Sequence, residues 1–82
     1  MFQLISNVTV PNHGTMFFNY AIIDTTTGTC YGFSLEPTAE VIVEATKELL
    51  IGKYTWEPGS YTVLAEFSSW TTLDQDCPEL FI

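Results

Sequence analysis

The chain has 82 residues, 46% of them apolar, and its ten carboxylates face only two lysines and no arginine, which gives a net charge of −8. This length suits one compact domain over residues 1–82 and is too short for two. The apolar content excludes a disordered chain, and the lack of a basic patch argues against direct binding to nucleic acid.

Three strands are predicted before any helix. Residues Phe2–Val10 are rich in β-branched and apolar side chains and end at Pro11. Residues Met16–Asp24 are apolar on both alternations, which is typical of a central strand with both faces at least partly covered. The turn Thr25–Gly28 leads into a third strand, Thr29–Leu35, so the last two strands should form a hairpin.

The helix is predicted to begin after Glu36, with Pro37 in its first position, and to end at Gly52. Its apolar residues, such as Ile42 and Leu49, cluster on the side opposite its glutamates. We therefore expect one side of the helix to pack on the sheet and the acidic side to face water.

A second hairpin is predicted after the helix. Its strands are Lys53–Trp56 and Tyr61–Phe67, joined by Glu57–Ser60, whose Pro-Gly pair suits a type II turn. The last residues, Glu79–Ile82, are expected to form either a short edge strand or an apolar tail. The predicted fold is therefore α+β: one antiparallel sheet of five to six strands, in the order β-β-β-α-β-β with a short C-terminal strand as the sixth, and one amphipathic helix on one face.

Four glutamates recur at every fourth residue through the predicted helix. The repeat advances about 6 Å and turns about 400° per step, so the carboxylates stack on one side. Each like-charged pair at this spacing costs roughly 0.2–0.5 kcal/mol, and only Lys47 lies among the glutamates. Two interpretations stand side by side: a solubilising helix face, or a surface that attracts a basic protein.

The predicted partner is a basic protein surface, of the kind that holds DNA or RNA. The helix carries one charge per ~6 Å, against one per ~3.4 Å along a DNA strand, so mimicry of nucleic acid requires other acids such as Glu57 and Glu66 to converge on it. Trp70 is the best candidate for an aromatic anchor. The predicted partner-binding residues are Glu36, Glu40, Glu44, Glu48, Trp70, Asp74, Asp76 and Glu79.

No catalytic, cofactor or metal site is predicted. The only histidine, His13, falls in a predicted turn, and neither a nucleophile motif nor a metal-ligand spacing is present. Cys30 and Cys77 are most simply free thiols, and a disulfide between them would be the exception. The longest apolar stretches fall far short of the ~20 residues of a membrane-spanning helix, and the first residues lack the basic start of a secretory signal. We therefore expect a cytoplasmic protein that does not bind membranes.

In size and composition the chain resembles phage-encoded inhibitors of host defence nucleases, nuclease immunity proteins and some antitoxins, although no motif carries the resemblance. The favoured prediction is a non-enzymatic inhibitor of a nucleic-acid-handling complex, of the anti-CRISPR or anti-restriction type. The alternatives are an immunity protein or antitoxin for a nuclease, and a structural or assembly protein such as a phage virion adaptor or decoration subunit. In a structural or assembly protein the sheet edge and the apolar residues 80–82 would carry the contacts, including those of a homodimer.

Overall fold

A computed structural model describes residues 1–10, 16–52, 54–55 and 61–78. In chain order they form β1 (Phe2–Val10), β2 (Met16–Asp24), β3 (Thr29–Phe33), α1 (Ala39–Leu49), β4 (Thr62–Phe67) and α2 (Leu73–Asp76). All strand pairs are antiparallel, and the strands lie in the order β3-β2-β1-β4. The α+β class is as predicted, but the sheet has four strands rather than five to six.

The first three strands confirm the sequence analysis. Strands β1 and β2 pair from Phe2 opposite Asp24 to Val10 opposite Met16 with an interruption at Asn7, and β2 pairs with all of β3. The hairpin turn uses the predicted glycine, because Gly28 has a φ of 75°, and the Asp24 carboxylate accepts a hydrogen bond of 2.9 Å from the Thr26 N–H. Strand β3 ends at Phe33, two residues before the predicted Leu35.

The predicted second hairpin is wrong. Strand β4 pairs with β1, with Phe67 opposite Phe2 and Thr62 opposite Ser6. Of the predicted strand 53–56 the structure describes Tyr54 and Thr55, and Thr55 forms an isolated bridge with Thr29 of β3 instead of pairing with β4. The side of β1 away from β2 gives β4 a long partner, and this pairing buries Ala65 and Phe67 against the helix side of the sheet. The predicted turn 57–60 and the C-terminal segment 79–82 lie outside the described residues.

Helix α1 begins later than predicted. Thr38 is the N-cap, and its Oγ1 accepts a hydrogen bond of 3.3 Å from the Val41 N–H. Pro37 therefore precedes the cap, and Glu36 lies outside the helix, because the threonine side chain satisfies an amide that the proline cannot. At the other end Gly52, with a φ of 74°, donates to the Leu49 carbonyl at 2.9 Å and follows the helix end as predicted.

Both faces of the sheet are covered. The helix-side core consists of Phe2, Leu4, Ile22, Phe33, Ile42, Ala45, Leu49, Ala65, Phe67, Leu73 and Cys77. The core on the opposite face consists of Ile5, Val8, Ala21, Ile23 and Cys30, with Phe18, Tyr54 and Tyr61 packed against it. Helix α1 contacts β2 and β3, while α2 lies beside β4. This packing fixes which side of α1 faces water.

Both cysteines are buried, and they are not joined to each other by a disulfide. Burial raises the pKa of the Cys30 thiol to about 11. The Cys77 thiol donates to the Glu66 carbonyl at 2.6 Å and so ties α2 to β4. Within the described ranges no helix is both long enough and apolar enough to cross a membrane.

Candidate partner-binding surface

The exposed side of α1 carries three of the four predicted glutamates. Glu40, Glu44 and Glu48, called the glutamate row below, are all exposed, whereas Ile42 and Ala45 face the sheet. Since successive members are four residues apart, their carboxylates lie one above another along the helix. The helix therefore presents the line of negative charge that the sequence predicts.

Lys47 relieves this charge only in part. Its Nζ lies 3.3 Å from Glu44 Oε1, and the two side chains are 46% and 75% exposed. An ion pair this open to water contributes little, typically about 0–1 kcal/mol. The glutamate row is thus left largely uncompensated by the described residues around it.

Trp70 lies next to the glutamate row. Its ring is half-buried, and the Lys47 Nζ lies 4.9 Å from the ring centroid. The same ammonium group therefore contacts Glu44 and Trp70, a cation–π arrangement that joins α1 to the segment before α2. The structure thus brings two of the predicted partner-binding residues to one place.

The other predicted acids divide into two groups. Glu36 precedes α1 and lines a depression with Val41, and Asp74 lies on α2 and lines a depression with Val43. Val41 and Val43 flank the glutamate row on α1, so these two acids lie on either side of it. Glu66, between the core residues of β4, points to the sheet face away from α1 and accepts a hydrogen bond of 3.1 Å from Gln3. Residues 57 and 79 lie outside the described residues.

Asp76 holds its own segment together. Its Oδ2 accepts hydrogen bonds from the Ser68 N–H at 2.5 Å, the Ser68 hydroxyl at 2.6 Å and the Thr72 hydroxyl at 2.8 Å. These bonds favour the charged form and lower the pKa of the Asp76 carboxyl. Asp76 thereby fixes the loop that positions Trp70 and Asp74.

Two grooves with mostly apolar walls flank the glutamate row. The first, called the Trp70 groove, consists of two depressions that meet at Val43. One lies on α1 and is lined by Ala39, Glu40, Val43 and Glu44, and the other lies between α1 and residues 70–74 and is lined by Val43, Trp70, Thr71, Leu73 and Asp74. The second, called the β3 groove, lies between α1 and β3 and is lined by Tyr31, Glu40, Val41, Glu44, Ala45 and Glu48. Each groove offers an apolar floor beside carboxylates, which suits a side chain or segment that is apolar in the middle and basic at its edge.

Sequence reasoning missed the two grooves and helix α2. Val43 lies in the predicted helix, but the depression that it lines with Trp70 depends on how the segment after β4 folds back. A signal for α2 exists in the pattern Thr72-Leu-Asp-Gln75, which resembles a capping box. In the structure the Thr72 side chain instead bonds to Asp76 and to the Ser69 carbonyl.

Comparisons with protein-family models, with curated proteins and with solved structures found no match for this chain. Among the residues that the structure describes, no group of three or more His, Cys, Asp or Glu side chains is placed to hold a metal ion.

Proposed function

We propose that this chain is a small acidic inhibitor that binds the basic, nucleic-acid-binding surface of a partner protein. The exposure of the glutamate row, with one partial counter-charge at Lys47, is the observation that carries the proposal. A surface of this charge steers a basic partner towards it and speeds association at low salt. An anti-CRISPR or anti-restriction protein is the type of inhibitor that fits best.

The position of the neighbouring acids supports mimicry of nucleic acid. The row alone has roughly half the charge density of a DNA strand. Glu36 extends the row beyond the start of α1, and Asp74 adds a carboxylate across the Trp70 groove. Five acids on one side of the molecule bring the density closer to that of a phosphate backbone, whereas Glu66 lies on the other face.

The first test is capture of the partner from a lysate of the native host at about 50 mM and about 500 mM salt, since screening weakens contacts between exposed charges. Binding should be lost at high salt. Reversal of all three glutamates of the row to lysine raises the net charge from −8 to −2 and should abolish binding while the fold is retained. Nucleic acid that the partner normally holds should compete with the protein.

A matched pair of single reversals separates the surface from overall charge. Glu44→Lys and Glu66→Lys change the net charge equally but lie on opposite sides of the sheet. We expect Glu44→Lys to weaken binding by about tenfold, which corresponds to ~1.4 kcal/mol, and Glu66→Lys to have a much smaller effect. Binding that is insensitive to salt and survives the triple reversal would overturn the proposed function.

An assembly protein is the competing proposal, and the edge strand β4 is the feature that favours it. Val63 and Leu64 are 42% and 46% exposed on this strand, and large exposed apolar side chains at a sheet edge promote association. Leu64 has no partner in β1, because the register shifts there, and such a bulge opposes extension of the sheet. Sedimentation analysis of the unmodified chain and of Leu64→Lys distinguishes the two proposals. A stable oligomer that dissociates on this substitution would support assembly.

A further inference from the structure

The Trp70 groove already holds one cation from its own chain. The Lys47 ammonium lies 3.3 Å from Glu44 Oε1 and 4.9 Å from the centre of the Trp70 ring. A carboxylate beside the face of an indole ring is an arrangement that also suits a lysine or arginine of another protein. One end of the groove is therefore a cation site with an internal occupant.

The rest of the groove is apolar at its floor and acidic on both banks. Val43 and Leu73 form the floor between the helices, and Ala39 continues it towards the start of α1. Glu40 and Glu44 stand on the α1 bank, and Asp74 stands on the α2 bank. A side chain that lies on the floor is thus flanked by negative charge on both sides.

The β3 groove lacks this symmetry. Its carboxylates all belong to α1, and the residue that β3 contributes is Tyr31. Both grooves combine carboxylates with an aromatic ring, but only the Trp70 groove has carboxylates from both α1 and α2, so it is the better complement to a basic segment.

We propose that the Trp70 groove docks a basic segment of the partner, with an apolar side chain on Val43 and an arginine or lysine that displaces Lys47 from Trp70. The inference rests on the proposed function and specifies which part of the acidic surface makes the close contacts with the partner. The glutamate row then supplies attraction over distance, and the groove supplies the close contacts.

The probe is a pair of short synthetic peptides, blocked at both ends. Each has two arginines on either side of one central residue, which is leucine in the first peptide and serine in the second. Both carry the same charge, so a difference in affinity reports the apolar contact. We expect the leucine peptide to bind about 3–10-fold more tightly, because partial burial of the leucine side chain removes apolar surface from water. Amide NMR should show shifts in residues 39–47 and 70–74 rather than along β3.

A matched pair of variants tests the floor. Val43→Gln and Val41→Gln make the same change on opposite sides of the glutamate row. Val43→Gln should remove the preference for leucine, and Val41→Gln should keep it. Thermal unfolding confirms that both variants fold, which matters because Val43 also packs against the helix-side core.

Replacement of Lys47 tests the cation site. Lys47→Met should strengthen binding of both peptides by about 3–10-fold, because the peptide no longer competes with an internal ammonium. Lys53→Met changes the net charge by the same amount and serves as the control. Equal effects of the two replacements would contradict the displacement of Lys47.

Equal affinity of the two peptides, shifts along the β3 groove, or shifts that depend on protein concentration without peptide would each overturn the inference. The last outcome would assign the groove to a second copy of the chain. Failure here is distinguishable from failure of the proposed function. A captured partner that responds to salt and to reversal of the glutamate row, but not to Val43→Gln, would leave the inhibitor proposal standing and remove the groove.

Discussion

On the sheet face away from α1, there is no room for a side chain at Gly32. It lies opposite Ala21 in the β2–β3 pair, and a Cβ added to it would overlap the ring of Phe18. Phe18 packs against the core of that face. Gly32 does not have a positive φ, so the neighbouring ring, and not the backbone conformation, excludes a side chain at this position.

Gly32→Ala should therefore destabilise the protein. Forcing a methyl group against a packed ring destabilises the folded protein by about 1–3 kcal/mol. Replacing glycine also lowers the conformational entropy of the unfolded chain, which stabilises the folded protein by about 0.5–1 kcal/mol. The expected net loss is about 1–2 kcal/mol. It is a measurable part of the ~4–12 kcal/mol typical of a chain of 82 residues. Equilibrium urea unfolding followed by circular dichroism measures it.

Two further variants test the cause. In a Phe18→Ala background the overlap is gone, so Gly32→Ala should be neutral or slightly stabilising. Gly52→Ala isolates the backbone effect, because Gly52 has a φ of 74° and a Cβ there would meet nothing within 4 Å. That change should cost about 1 kcal/mol from the left-handed conformation alone. An unchanged penalty for Gly32→Ala without the Phe18 ring would refute the packing argument.

Three other predictions concern the cap, the C-terminal loop and the buried thiols. Thr38→Ala should cost about 1 kcal/mol in urea unfolding, because the Val41 N–H loses its acceptor. The native pKa of Asp76 lies below its ordinary value, so its contribution to stability is complete above about pH 5 and is lost as the pH falls below about 4. The difference in free energy of unfolding between the unmodified chain and Asp76→Asn should therefore decrease as the pH is lowered from about 5 to below about 4. Cys30, with a pKa of about 11 and full burial, should react with a chromogenic disulfide reagent at pH near 8 only as fast as the protein unfolds, and rapid reaction would contradict its burial.

Local patterns in the sequence identified the elements that are held by neighbours in the chain. Strands β1 to β3 and the side of α1 that faces the sheet follow from alternation, turn residues and helical spacing. The pairing of β4 with β1 joins Phe67 to Phe2 and has no local signal. The Pro-Gly pair at residues 58–59 instead favours a hairpin between neighbouring segments, which is why the sequence predicts a second hairpin.

The candidate surface also has one part that the sequence predicts and one part that it does not. The glutamate row depends only on helical spacing, so its exposure could be predicted once the apolar side of α1 was known. The Trp70 groove depends on contact between Lys47 and Trp70, which are far apart in the chain and meet because the Asp76 network folds residues 68–77 back. No periodicity in either segment reports that contact.

The attachment of β4 to β1 has a consequence for motion. One bank of the Trp70 groove belongs to α1, and the other follows β4 directly, anchored to it through Ser68 and the Cys77 thiol. The β1–β4 pairing closes a loop of some sixty residues, which costs more conformational entropy than forming the hairpins of β1 to β3. The β4 unit should therefore be the first part of the sheet to open transiently, and each opening separates the banks of the groove. A ligand held by both banks would slow hydrogen exchange of the β4 amides, a signature far from the contacts themselves.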